Sequence, residues 1–206
     1  MEINIIDVGI GNPTSVLRMF EELNVHARLV GTPVDLDTDL TDLMIVMPGV
    51  GTWDRAVGKL ERAGWIEFLQ ENVTKFRSVL GICLGMQLLF DKSEEGEKPG
   101  LSLLDGRIGY FQTTNVINIG WRDVTFDSYS YFTDSRFYHV HRLALIDEGQ
   151  PYIKGKENSG LPVCVEHKNI VGFQFHPEKS HYYGKKLLKE WLQKYAEKNN
   201  SDVIAT

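Results

Sequence analysis

Cysteine is scarce in this sequence: two thiols, Cys83 and Cys164, stand among 206 residues. They allow one disulfide at most, far short of the framework that staples small secreted domains. Also missing is any apolar run near the roughly 20 residues that a membrane-spanning helix needs. Basic residues are neither in excess nor clustered, with 22 Lys and Arg against 28 Asp and Glu and a net charge of −6. Such a surface offers little to nucleic acid or to an anionic membrane, and neither is expected as a partner. No internal repeat, low-complexity tract or Gly/Ser/Pro linker interrupts the chain, so residues 1–206 read as a single domain. The start, Met1-Glu2-Ile3-Asn4-Ile5-Ile6-Asp7, has no basic segment before its apolar residues. No signal peptide is therefore expected, and a cytoplasmic protein with reduced thiols is.

What the chain does contain is a regular alternation in its first half. Residues 3–6 form an apolar strand without polar alternation, the pattern of a strand covered on both faces. Asn12 and Pro13 then suit an N-cap and a first helical position, and Val16, Met19, Phe20 and Leu23 fall on one helical face. Residues 26–30 and 43–47 read as strands, and Pro48-Gly49-Val50-Gly51 as a turn. Two helical segments follow, carrying Trp53, Val57 and Leu60, then Trp65, Phe68, Leu69, Val73 and Phe76, separated near Gly64. A strand then leads into Cys83. The spacing predicts an α/β fold, flavodoxin-like, with a mostly parallel central sheet and helices on both faces. Residues 91–100 read as a surface loop. From 106 to 174 the pattern is strand-rich, with candidates at 107–111, 116–119, 124–126, 136–143, 162–166 and 170–175. That region is expected to add a partly antiparallel extension. A last helix runs from Ser180 to about Lys198, and residues 199–206 are expected to fray.

Two stretches carry chemistry. Val79-Leu80-Gly81-Ile82-Cys83-Leu84-Gly85-Met86-Gln87 reads as strand, sharp turn and helix with a thiol at the apex. A thiol there would stand clear of the sheet beside the first free N–H groups of the helix, which favour the thiolate. Far along the chain, Phe173-Gln174-Phe175-His176-Pro177-Glu178 ends an apolar strand in a histidine and a carboxylate two residues apart. In an extended segment those two side chains face the same way. A base held by a carboxylate and aimed at a thiol is the arrangement of nucleophilic catalysis, so Cys83, His176 and Glu178 are the candidate triad. A different hydrolase on the same turn, such as a cysteine peptidase, and a non-catalytic scaffold are the other readings of these residues.

Gly81-Ile82-Cys83-Leu84-Gly85-Met86-Gln87 together with Gln174-Phe175-His176-Pro177-Glu178-Lys179-Ser180 resembles the class I glutamine amidotransferases. The stretches Ile5-Ile6-Asp7-Val8-Gly9-Ile10-Gly11-Asn12, Pro48-Gly49-Val50-Gly51 and Ser93-Glu94-Glu95-Gly96 extend the likeness over nearly the whole chain. Within that class it is similar to the glutaminase subunits of imidazole glycerol phosphate synthases. The resemblance implies hydrolysis of L-glutamine to glutamate and ammonia through the Cys83–His176–Glu178 triad. It implies an oxyanion hole from the backbone N–H groups of Leu84 and Gly51, and substrate contacts from Gln87 and Glu95. It also implies a (β/α)8-barrel cyclase subunit as partner in a heterodimer, which takes up the ammonia in histidine biosynthesis, with Trp121 and His141 at the interface. Neither a cofactor nor a metal is implied.

The chain departs from that pattern in three places. Histidine-pathway subunits usually read Pro-His-Met-Gly-Trp-Asn where this one has Ile117-Asn118-Ile119-Gly120-Trp121-Arg122. A Tyr-Tyr-Phe-Val-His-like strand is replaced by Phe137-Tyr138-His139-Val140-His141, and a tyrosine after the first strand by Val8. The alternative these departures raise is a paralogue that supplies ammonia to a related barrel for amidination of a surface-polysaccharide sugar.

Overall fold

The computed structural model describes residues 2–37, 39–111, 117–127, 135–147 and 150–196. Strands β1 (Ile3–Ile6), β2 (Ala27–Val30), β3 (Met44–Gly49) and β4 (Ser78–Cys83) alternate with helices α1 (Pro13–Glu22), α2 (Trp53–Arg62) and α3 (Trp65–Asn72). Every residue of β1, β3 and β4 is buried, which is why their sequences are mostly apolar without alternation, with Asn4 and Ser78 the buried polar residues among them. The start of α1 follows its sequence signals. The Asn12 side chain accepts from the Ser15 N–H at 3.2 Å, and Val16, Met19 and Phe20 turn inward. Gly64, with φ of 78°, makes the break between α2 and α3. Val73 and Phe76 lie beyond α3, in and after a short 3-10 turn, because the chain there turns into β4.

The second half holds α4 (Leu84–Gln87), β5 (Lys92–Ser93), β6 (Arg107–Tyr110), β7 (Asn118–Phe126), β8 (Ser135–His141), β9 (Leu143–Leu145), β10 (Ile153–Glu157), β11 (Pro162–His167), β12 (Ile170–Phe173) and α5 (His181–Ala196). Among the described residues the main sheet has nine strands in the order β2-β1-β3-β4-β12-β11-β10-β7-β8. The run from β2 to β12 is parallel, and the four strands beyond it are antiparallel. Helices α1 and α5 cover one face, with Phe20, Leu188 and Trp191 against Ile5, Val46 and Leu80. Helices α2 and α3 cover the other, with Trp53, Leu60 and Trp65 against Ile6, Ile45 and Met47. None of the helices among the described residues is long and apolar enough to cross a membrane.

Four expectations change. Ile170–Phe173 belongs to the parallel core, paired with β4, rather than to the antiparallel extension; all four residues are buried, as a central strand requires. The two strands expected at 116–119 and 124–126 are one strand, β7, whose middle residues are exposed and so break the apolar pattern without breaking the ladder. Residues 136–143 do not form one strand. The chain bends at Arg142, so β8 stays in the main sheet while β9 joins β6 and β5 in a second, three-stranded sheet. Strand β10 had no sequence signal because its lysines alternate with a glycine and a carboxylate. The surface loop at 91–100 is half exposed, includes β5, and is tied to α2 by the Trp53 indole N–H donating to the Lys98 carbonyl at 2.7 Å. The fraying expected at 199–206 lies outside the described residues.

Candidate active site

Cys83 is the last residue of β4 and the residue before α4. Its backbone has φ of 56° and ψ of −113°, a conformation that a side chain adopts at a cost of about 1–3 kcal/mol. Glycine on both sides makes the turn possible. A Cβ on Gly85 would lie 1.8 Å from the Met47 carbonyl oxygen, and one on Gly81 2.6 Å from the Gly85 oxygen. Strand β3, strand β4 and the turn are therefore in backbone contact, a closeness only glycine permits. The thiol is not clear of the sheet as the sequence suggested: Cys83 is buried, and its Sγ lies 3.7 Å from the Val140 carbonyl oxygen. The following helix is also a single turn of four residues.

His176 arrives from β12, the parallel neighbour of β4. Phe173 pairs with Ile82, so both chains leave the sheet at the same end and His176 comes beside Cys83. Crevices outside the carboxyl ends of parallel strands are where such folds hold ligands. The His176 N–H donates to the Tyr138 carbonyl at 2.9 Å, and the Ser180 hydroxyl donates to the His176 carbonyl at 2.6 Å. Glu178 reaches the His176 ring, with Nδ1 to Oε1 at 2.7 Å. The pair does not lie along an extended segment, as the sequence leads one to expect. Pro177–Lys179 is a 3-10 turn that folds the carboxylate back onto the preceding imidazole. The ring also hydrogen-bonds Cys83. Burial opposes charge on this ring, but the hydrogen bonds and negative charges of Cys83 and Glu178 outweigh it, pushing the His176 pKa up to about 10.

A cavity of about 220 Å3 opens onto Cys83 and is also lined by Gly51, Leu84, Gln87, Glu95 and Arg142. Gly51, with φ of 118°, has open space where a Cβ would stand. Glu95 is held by the Trp53 backbone N–H, which donates to its Oε2 at 2.8 Å. Gln87 is fixed from within: its Nε2 donates to the Leu143 carbonyl at 2.9 Å and to Gln174 Oε1 at 3.1 Å. Because a carbonyl only accepts, this sets the orientation of both amides, and Gln174 Nε2 is left 4.0 Å from Cys83 Sγ. A larger open cavity, about 600 Å3, lies beside Trp121, Arg122 and Glu157, but the triad residues do not line it. Size therefore does not select the site; the cavity holding the nucleophile does.

Eight of the nine residues singled out in the sequence meet around the Cys83 cavity: the triad, Gly51, Leu84, Gln87, Glu95 and His141. Trp121 lies outside the cavity on β7, 36% exposed, its ring stacked on His181 at 5.6 Å. His141 is not at an open surface. It is buried, with Nδ1 donating to the Leu143 carbonyl at 3.1 Å. Its Nε2 then accepts, with His139 Nδ1 at 3.2 Å and Asn118 Nδ2 at 3.4 Å, and Asn118 also donates to Glu157 at 3.0 Å. Burial keeps both rings neutral, lowering His139 to about 3 and His141 to about 4. Sequence reasoning assigned no role to Gln174 or Arg142. Gln174 was within reach, two residues before His176 in the same motif; Arg142 had no local signal, since only the bend after β8 brings it to the cavity.

A solved glutamine amidotransferase superposes with a TM-score of 0.78 over 94% of this chain and 98% of its own, at 15% identity, so the fold is that of this class. The family model for class-I glutamine amidotransferases matches residues 4–194. The chain belongs to that family. Its relatives include the imidazole glycerol phosphate synthase subunit HisH of Thermotoga maritima, 36% identical over 94% of this chain and 97% of that protein. The HisH subunit of Exiguobacterium sibiricum is 37% identical over 93% of this chain and 94% of its own.

Proposed function

We propose that the chain is the glutaminase subunit of an imidazole glycerol phosphate synthase, hydrolysing L-glutamine in histidine biosynthesis. The observation that carries the reading is the hydrogen-bonded continuity of Cys83, His176 and Glu178 beside a cavity of about 220 Å3. The relatives, HisH subunits over nearly their whole length, support the pathway.

In this reading the Cys83 thiolate attacks the side-chain carbonyl carbon of glutamine, and the developing oxyanion is met by the backbone N–H groups of Leu84 and Gly51. A donor of this kind contributes about 3 kcal/mol. Gly51 reaches that position through a rotation of its peptide, for which its glycine backbone is suited. The His176 imidazolium gives its proton to the departing ammonia, leaving a glutamyl thioester. Water, deprotonated by the same ring, then attacks the thioester; glutamate leaves and the proton returns to the Cys83–His176 pair. Glu178 fixes the ring orientation throughout. Gln87, with both its N–H donors engaged internally, offers its carbonyl oxygen to the substrate, and Glu95 offers its Oε1.

The ammonia passes to a barrel cyclase docked over the cavity mouth. Exposed Val50 and Ile117 at the mouth, with Ile119 and Trp121 on β7, supply the apolar area for that contact. His141 supports the interface from beneath, through β7 and β8. One domain, residues 1–206, and a cytoplasmic setting belong to the same proposal. The departures around Asn118, Arg122 and His139 lie in this docking region and favour, as a second reading, a related barrel that amidinates a sugar. The full chain with a histidine-pathway cyclase should release glutamate from glutamine, and Cys83→Ala should abolish it. Activity retained by that variant would overturn the triad, and activation only by a sugar-directed barrel would move the chain to the second reading.

A further inference from the structure

Arg142 stands where β8 ends and β9 begins, and its side chain lines the cavity that holds Cys83. Among the described residues lining that cavity, Arg142 is the single guanidinium or ammonium and Glu95 the single carboxylate. Their closest approach, Nη2 to Oε1, is 3.8 Å, too long for the hydrogen bond that a committed ion pair makes. Glu95 already spends Oε2 on the Trp53 N–H. No other side-chain partner of the Arg142 guanidinium is found among the described residues, and the side chain is 44% exposed against 14% for Glu95. Two opposite charges, each with unused hydrogen-bonding capacity, thus face one small cavity.

We propose that Arg142 is a specificity-determining residue that receives the α-carboxylate of the amino-acid substrate, while Glu95 takes its α-ammonium. The inference rests on the glutaminase reading above. Its logic is charge matching. Glutamine is a zwitterion whose two charges sit on one carbon, three bonds from the carbon that Cys83 attacks. A cavity with one cation and one anion close together reads both charges at once. A planar guanidinium suits a carboxylate, since two parallel N–H groups can meet its two oxygens. Substrate then draws the two side chains into hydrogen bonds they do not make with each other.

The test compares the full chain, with its barrel partner, on L-glutamine and on L-glutamine α-amide, whose carboxylate is replaced by a neutral carboxamide. Ammonia release is followed for the wild type, Arg142→Leu and Arg142→Lys. On L-glutamine, Arg142→Leu is expected to raise KM by about 10- to 100-fold, with the loss in KM rather than kcat, and Arg142→Lys to recover part of it. On the α-amide, the wild type itself loses a similar factor and Arg142→Leu loses nothing further. Equal losses on both substrates, or a fall in kcat at constant KM, would reduce Arg142 to a structural partner of Glu95. A wild-type chain that releases no ammonia from glutamine would overturn the glutaminase reading itself, and the assignment of Arg142 with it.

Discussion

The imidazoles of His176 and His139 lie in one region yet are driven in opposite directions. His176 is raised to about 10 because Cys83 and Glu178 overcome the effect of burial, whereas His139 and His141 fall to about 3 and 4 because burial dominates, the Leu143 carbonyl offsetting only part of it at His141. A raised pKa means that the His176 contribution to stability is complete below the unfolded value of about 6.5 and is lost as pH rises through 10. The depressed pair behaves in the other sense. Above pH 6.5 both states leave these rings neutral; below it the unfolded chain takes up protons that the folded chain refuses. Stability is therefore lost on acidification, by about 1–2 kcal/mol per ring between pH 6.5 and 5. Arg122 and His176 add to the depression of both rings. In His139→Phe, a ring that keeps the packing on Phe175, the urea midpoint should fall less between pH 7 and 5 than in the wild type. At the triad, Glu178→Gln should reduce glutamate release about 100- to 10,000-fold. The same substitution should lower the His176 pKa read by NMR titration, because it removes both a hydrogen bond and a charge.

At the scale of elements, the turn between β4 and α4 depends on backbone contact with β3. Substituting Gly85 by Ala places a methyl within 1.8 Å of the Met47 carbonyl, and neither backbone can yield without opening the β3–β4 ladder. The expected cost is about 3 kcal/mol or more, seen as a lowered urea midpoint together with loss of activity. The bend at Arg142 is a second such element. By ending β8 at His141 it frees the Leu143 carbonyl, which accepts from both Gln87 and His141. A straight strand over 136–143 would have committed that carbonyl to a ladder or turned it away. The misreading of this stretch in the sequence has the same root: apolar residues on both sides of the bend hide a change of sheet.

For the whole molecule, the antiparallel strands beyond β12 do more than widen the sheet. They carry Val140 to Cys83, Arg142 to the cavity and Trp121 to the outer surface. Trp121 rests on His181 and Tyr138 with one side open. Trp121→Ala should weaken binding of the barrel subunit by about 10- to 100-fold in a titration, while the melting temperature of the free chain barely moves. A drop in melting temperature comparable to that of a core substitution would mark Trp121 as a structural aromatic instead.

By itself the sequence determined the parallel core, the glycine-flanked nucleophile and the His176–Pro177–Glu178 motif. Those signals are local: continuous apolar runs, a helix cap and residue types that a tight turn demands. Gln174 also lay in plain view beside His176, unread only because its role depends on the amide of a distant glutamine. The tertiary structure alone decided that β12 runs beside β4, that His141 is buried rather than exposed, and that Arg142 shares a cavity with Glu95. Each of these depends on which strand pairs with which across long stretches of chain. Pairing at that distance is set by the burial of whole faces, which no short window of sequence contains.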